Sequence, residues 1–270
     1  MELSNIDSVL FAASLAGQVI LLLVLYKRKL YKEFPIFFVY VAYVLATDPL
    51  LILWMHLLHI PSAELASSPM YFRAFFTFKV PEYILGVGVL FEIGRNVLLP
   101  VRRSLPSGSL VLFGLLMLVG GGITYLLAAH SASGKLLTSM GGIYITVALT
   151  NAILRIACFM VIAIFAQMLG IGWKNHVVQL VTGLAFYGAV DLIVRMTHAR
   201  LSSGANVGTY IIQFRLLDEL RVISYLSTLT FWCWSFTRQE APRKEFSPQM
   251  AGFLVSISGA VKRERSQFGR

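Results

Sequence analysis

Charged residues are scarce in this chain of 270 residues, where Lys, Arg, Asp and Glu together make up only 13%. An ordinary soluble domain carries roughly 25% of such residues, and a disordered chain combines high charge with low hydrophobicity. Here hydrophobic residues reach 57%, and the mean hydropathy is +0.74. The composition therefore excludes a soluble globular protein and a disordered one.

Cysteines and catalytic motifs are also lacking. The two cysteines, Cys158 and Cys233, fall within apolar segments, so the sequence offers neither a disulfide framework nor a CxxC metal site. It contains no HExxH motif, no glycine-rich phosphate loop and no Ser/His/Asp arrangement. We therefore expect a protein that is not an enzyme and that needs no cofactor and no metal.

Long apolar runs are what the chain has in abundance. Seven segments are each long enough to cross a hydrocarbon core of roughly 30 Å as a helix. A membrane β-barrel would instead show alternating segments of about 10 residues. The segments are approximately Ser8–Tyr26, Pro35–His59, Tyr71–Leu99, Ser109–Ala129, Leu136–Leu169, Val177–Met196 and Val207–Phe236. The sequence predicts an all-α integral membrane protein, with a bundle of seven transmembrane helices in residues 1–236.

Basic residues are distributed unevenly among the connections between these segments. If the chain crosses seven times, one side holds the basic tail 237–270 and most basic loop residues, namely Lys27, Arg28, Lys29, Lys32, Arg102 and Arg103. The positive-inside rule then places the N-terminus outside and the C-terminus in the cytoplasm. We predict a plasma membrane protein on this basis.

The net charge of +10 raises the question of an anionic partner. Because the basic residues lie mostly in loops and in the tail, we assign the charge to anionic lipid headgroups and predict no nucleic acid partner. The tail is either an amphipathic surface helix or a disordered segment. A cytoplasmic or membrane protein is a further candidate partner at this face.

Ionisable residues within the predicted spans are the most informative feature of the sequence. On insertion scales each costs about 2.5 to 3.5 kcal/mol at a helix centre, unless it is paired or solvated. Apart from Glu92 and Arg95 near the cytoplasmic end, they form a balanced group of five acids and five bases: Asp48, Lys79, Glu82, Arg155, Asp191, Arg195, Arg215, Asp218, Glu219 and Arg221. Charge balance is what a buried network requires.

Spacing within this group predicts several pairs. Asp191 and Arg195 lie four residues apart, as do Arg215 and Glu219. Arg215 and Asp218 lie three apart, as do Asp218 and Arg221. Both separations put side chains on one face of a helix. Prolines also follow Asp48 and precede Glu82, and an internal proline favours a helix kink.

The charged group has three interpretations. It is a static salt-bridge network that orients the bundle, an outward-facing polar cavity that binds a small charged or zwitterionic ligand, or a path for protons or ions. The corresponding functions are a structural subunit of a membrane complex, a receptor-like or sensory protein, and a small-solute or proton-coupled transporter or channel. We favour the receptor-like function as the leading hypothesis.

Two seven-helix families provide a comparison. Microbial rhodopsins require a lysine in the seventh helix, and the segment Val207–Phe236 contains none. The predicted topology resembles that of G-protein-coupled receptors. However, the inner end of the third segment reads Phe91-Glu-Ile-Gly-Arg95 where that family has Asp/Glu-Arg-Tyr, and the seventh segment lacks the Asn-Pro-x-x-Tyr motif. The sequence therefore assigns the chain to neither family.

Overall fold

A computed structural model describes residues 5–57, 69–98, 119–123, 126, 140–166, 175–201 and 207–239. These residues are helical apart from short turns, and none of them forms a strand. The helices are α1 (Asn5–Lys27), α2 (Pro35–Leu57), α3 (Pro69–Leu98), α4 (residues 119–123), α5 (Met140–Ala166), α6 (His176–Leu201) and α7 (Val207–Thr237). The predicted all-α class is confirmed for this part of the chain.

Four of the described helices are long and apolar enough to cross a membrane. The candidate spans are Ser8–Lys27, Pro35–Trp54, Thr146–Ala163 and His176–His198. α3 and α7 are 30 and 31 residues long, but both carry clusters of ionisable residues and are not among these four. Most of the fourth predicted segment and the tail beyond residue 239 lie outside the described residues. The count of seven spans and their orientation therefore stay predictions.

The described long helices pack in a closed ring. α1 contacts α2 and α7, α2 contacts α3, α3 contacts α5, α5 contacts α6, and α6 contacts α7. α3 also contacts α6 across the ring. Aromatic side chains fill the centre at one end, where the ring of Phe37 meets Trp232 edge-on at 5.1 Å and Phe236 at 6.2 Å. Each of these six helices thus has neighbours on both sides, and side chains that point inward meet those of several helices.

One end of the ring gathers the ends of α1, α3 and α7 and the beginnings of α2 and α6. Arg28 donates a hydrogen bond to the carbonyl of Thr237 at the end of α7. The His176 ring at the start of α6 packs on Phe236, with centroids 5.4 Å apart. We call this the basic end, because it carries Lys27, Arg28, Lys29, Lys32 and Arg238.

The start of α2 is capped from another helix. Pro35 has no N–H to leave unpaired, and the preceding Phe34 has no polar side chain to act as a cap. Glu92 of α3, only 2% exposed, accepts hydrogen bonds from the backbone N–H groups of Ile36 and Phe37, both at 2.9 Å. A carboxylate at a helix N-terminus also interacts favourably with the helix dipole. This buried carboxylate therefore fixes α3 against α2 at the basic end.

Candidate functional site

A first cluster of ionisable residues joins α2 to α3 away from the basic end. Lys79 Nζ lies 3.4 Å from Asp48 Oδ1 and 2.7 Å from Glu82 Oε2. The three side chains are mostly buried. We call these residues the α2–α3 cluster. With all three ionised, it carries one negative charge in excess.

Both helices continue through a proline beside this cluster. Pro49 lies within α2 and Pro81 within α3, and each removes one backbone N–H from its helix. The Tyr43 hydroxyl donates a hydrogen bond of 2.9 Å to the carbonyl of Phe78 on α3. This bond joins α2 directly to the backbone of α3, three residues before Pro81.

A second cluster joins α6 to α7. Arg195 Nε lies 2.9 Å from Asp191 Oδ2, and the guanidinium of Arg221 lies 4.0 Å from Asp191 Oδ1 and 3.9 Å from Asp218 Oδ1. We call these four residues the α6–α7 cluster, and its charges balance. The Asp191–Arg195 pair predicted from its spacing is thus present.

Arg215 and Glu219 form a separate pair on α7. Their side chains lie 3.1 Å apart, as their spacing predicts, and Arg215 is 52% exposed. Because Arg215 is half exposed, we treat the two residues as a surface pair.

Arg155 of α5 lies between the two clusters. Its side chain is 6% exposed, and it interacts electrostatically with Glu82 on one side and Asp191 on the other. Within the described part of the chain, however, no carboxylate oxygen comes within 4.0 Å of its guanidinium, and its Nε makes no hydrogen bond. Arg155 is thus a buried cation whose opposite charges act only at longer range.

Aromatic and amide side chains from four further helices surround this arginine. The guanidinium carbon lies 5.8 Å from the ring centroid of Tyr187 on α6, and Tyr40 on α2 interacts with the same group. Tyr187 packs edge-on against Tyr225 of α7 at 5.5 Å. The Tyr225 hydroxyl in turn accepts a hydrogen bond of 2.9 Å from Gln18 Nε2 of α1. A cation–π contact, an aromatic contact and a hydrogen bond therefore connect Arg155 in sequence to α1.

Asn151 lies one helical turn before Arg155 and faces α3. It is 5% exposed, and neither its Nδ2 nor its Oδ1 has a hydrogen-bond partner among the described residues. A Cβ placed on Gly86 of α3 would lie 3.2 Å from Asn151 Nδ2 and 3.3 Å from Arg155 Nη2. On the other side, a Cβ on Gly188 of α6 would lie 3.4 Å from Arg155 Cβ. Two glycines thus make room for this polar face of α5.

We call this assembly the Arg155 centre, and all six of the long described helices contribute to it. Its members are Gln18, Tyr40, Gly86, Asn151, Arg155, Tyr187 and Tyr225. Of the residues predicted from charge, the structure places the α2–α3 cluster and the α6–α7 cluster on either side of it. Charge alone could not identify its neutral members, although a single glutamine in the apolar first segment was an available signal.

The fold and these residues define the class of protein. Four apolar helices long enough to cross a bilayer indicate a membrane protein, and its described helices enclose a buried polar centre. Among the described residues, no group of three His, Cys, Asp or Glu side chains is arranged to hold a metal ion. No protein-family model, no curated protein and no solved structure matches the chain.

Proposed function

We propose that this chain is a receptor-like, sensory membrane protein, not an enzyme, and that its Arg155 centre binds a small charged or zwitterionic ligand. The observation that carries the proposal is that Arg155 is buried with no carboxylate within 4.0 Å among the described residues. An ion removed from water without a close partner costs several kcal/mol. Ionisable residues within membrane helices are accordingly candidates for function. A ligand anion supplies the partner that Arg155 lacks.

The position of the centre explains how binding is transmitted. Side chains from α1, α2, α3, α5, α6 and α7 meet there, so a ligand that binds one packing arrangement more tightly shifts the population toward it. In our proposal the basic end faces the cytoplasm, against anionic lipid headgroups of the plasma membrane. A protein partner at that end receives the signal.

The proposal is tested by ligand-dependent thermal unfolding of the full chain in detergent micelles. The panel contains small carboxylates, amines, amino acids and sugars. A ligand present at about 100 times its Kd stabilises the folded state by about 2.7 kcal/mol, which is a measurable rise in Tm. We expect at least one charged compound to raise the Tm of the wild type, but not that of Arg155→Gln.

Two further variants make this experiment specific. Arg215→Gln is the matched control, because it makes the same chemical change at a half-exposed arginine outside the centre, and it should keep the response. Arg155→Lys preserves the charge but loses the planar fork of donors. This variant should therefore fold like the wild type but bind the ligand more weakly. A panel in which no compound stabilises the wild type would refute ligand binding and leave the charges with a structural role.

The second candidate is a small-solute or proton-coupled transporter. Asp48 and Glu82 each adjoin a proline within a helix, where a backbone hydrogen bond is missing and bending is easier. Such positions suit a site that is exposed alternately to the two sides of a membrane. A transporter predicts uptake of labelled amino acids, sugars or ions into proteoliposomes, with loss of uptake in Glu82→Gln. Glu33→Gln, at an exposed position, is the control, and absence of uptake for all solutes rejects this function.

A further inference from the structure

We infer that the ligand of the Arg155 centre is a zwitterion, whose carboxylate binds Arg155 and Asn151 and whose ammonium group faces the α2–α3 cluster. This inference rests on the proposed function, because it names the ligand class of the same site. Three features support it: the unpaired donors on α5, the position of Glu82 on α3, and the charge balance of the surrounding clusters.

The donors on α5 suit a carboxylate. Arg155 Nε and Asn151 Nδ2 are buried and have no hydrogen-bond acceptor among the described residues. Asn151 Nδ2 and Arg155 Nη2 lie 3.2 and 3.3 Å from the position that a Cβ on Gly86 would occupy, so the two groups lie near each other beside this glycine. Arginine pairs with carboxylates through two parallel hydrogen bonds, and a neighbouring amide N–H adds a third donor. The arrangement therefore offers a few converging donors to a small planar anion.

The acceptors for an ammonium group lie one turn along α3. Glu82 is four residues before Gly86, so the two positions share one face of the helix, separated by a rise of about 6 Å. Glu82 is also the member of the α2–α3 cluster that interacts electrostatically with Arg155. Asn151 Oδ1 is a further buried acceptor with no partner in the described part of the chain. The carboxylate of a short zwitterion would thus meet hydrogen-bond donors on α5, and its ammonium group would meet the acceptors Glu82 and Asn151 Oδ1.

Charge balance distinguishes a zwitterion from a simple acid or amine. The excess negative charge of the α2–α3 cluster is offset by Arg155, and the α6–α7 cluster is neutral as a whole. A carboxylic acid bound as its anion leaves the buried centre with one uncompensated negative charge, and an amine leaves it with one positive charge. Uncompensated charge in a buried site is costly, whereas a zwitterion leaves the balance unchanged.

The test compares matched compounds on the full chain in detergent by isothermal titration calorimetry. The zwitterions are glycine, 4-aminobutyrate and leucine, each measured beside the acid that lacks its amine and the amine that lacks its carboxylate. We expect at least one zwitterion to bind at least tenfold more tightly than both of its analogues. Equal affinity for the acid and the zwitterion overturns this inference but leaves the proposed function standing. Failure of every compound in this panel and the thermal panel overturns both.

Variants locate the two ends of the ligand. Gly86→Ala should weaken zwitterion binding at least tenfold, because its methyl group enters the space beside both donors. Gly88→Ala is the matched control on the same helix, since its Cβ would meet only Ile36, at 3.0 Å, and it should bind like the wild type. Glu82→Gln should weaken binding of the zwitterion without weakening that of the acid analogue. Equal losses for both compounds in Glu82→Gln would contradict the placement of the ammonium group.

Discussion

Replacing Glu92 by alanine should destabilise the fold more than any single change at the protein surface. The carboxylate is 2% exposed and accepts two backbone hydrogen bonds, from Ile36 and Phe37. Hydrogen bonds to charged groups contribute about 1.5–3 kcal/mol each, and a favourable charge at a helix terminus adds about 0.3–1 kcal/mol. Partial access of water to the freed N–H groups reduces the total. We therefore expect the free energy of unfolding to fall by about 3–5 kcal/mol.

The measurement is thermal unfolding of the purified chain in a single detergent. For domains near this size, each kcal/mol lost from the free energy of unfolding lowers the Tm by about 2–4 °C. Glu92→Ala should therefore lower the Tm by about 6–20 °C. Glu92→Gln keeps one acceptor oxygen and should lose roughly half as much. Glu33→Ala is the control, because Glu33 is exposed in the connection that leads into α2. Surface changes usually alter stability by no more than about 0.5 kcal/mol. Equal losses of Tm in Glu92→Ala and Glu33→Ala would refute the capping role.

Two other predictions concern contacts between helices. Gly183→Ala would place a Cβ 2.3 Å from the indole Nε1 of the buried Trp232, so it should cost about 1–3 kcal/mol or more through overpacking. Gly122→Ala is the control, because its Cβ would meet nothing within 4 Å, and it should leave the Tm unchanged. Equal changes of Tm in the two variants would argue against tight packing at Gly183. Tyr225→Phe removes the hydroxyl that accepts a hydrogen bond from Gln18 Nε2, and the loss of one such bond should lower the free energy of chemical unfolding by about 0.5–1.5 kcal/mol. A stability equal to that of the wild type would show that this bond contributes nothing.

Sequence spacing predicted the contacts that form within one helix. Asp191 with Arg195 and Arg215 with Glu219 lie four residues apart, and both pairs are within bonding distance. Helix geometry alone decides such contacts, because residues four apart share a face whatever the surroundings. The helical segments were predictable for a related reason, since a membrane requires long apolar runs that satisfy their own backbone hydrogen bonds.

Contacts between helices could not be predicted in this way. In a soluble helix the apolar face marks the core, but in these segments both lipid-facing and buried positions are apolar. Leu23 is 53% exposed and Leu25 is fully buried in the same helix, yet their sequence environments are alike. The rotation of each helix was therefore unknown. For that reason the sequence identified the charge of Arg155 but not the Tyr187 ring or the Gly86 backbone that surrounds it.

In our proposal the α6–α7 cluster and the Arg155 centre have different roles. A network that orients helices needs ion pairs between them, and in the α6–α7 cluster Asp191 lies 2.9 Å from Arg195 on its own helix and 4.0 Å from Arg221 on α7. Arg155 does not fit an orienting role. An apolar side chain at this position would pack between the helices without the cost of burying a charge, and it would not require Gly86 and Gly188 beside it. We therefore propose an orienting function for the α6–α7 cluster and ligand binding for the Arg155 centre. Substitutions in the α6–α7 cluster should therefore lower stability, whereas the charge-preserving Arg155→Lys should mainly weaken binding.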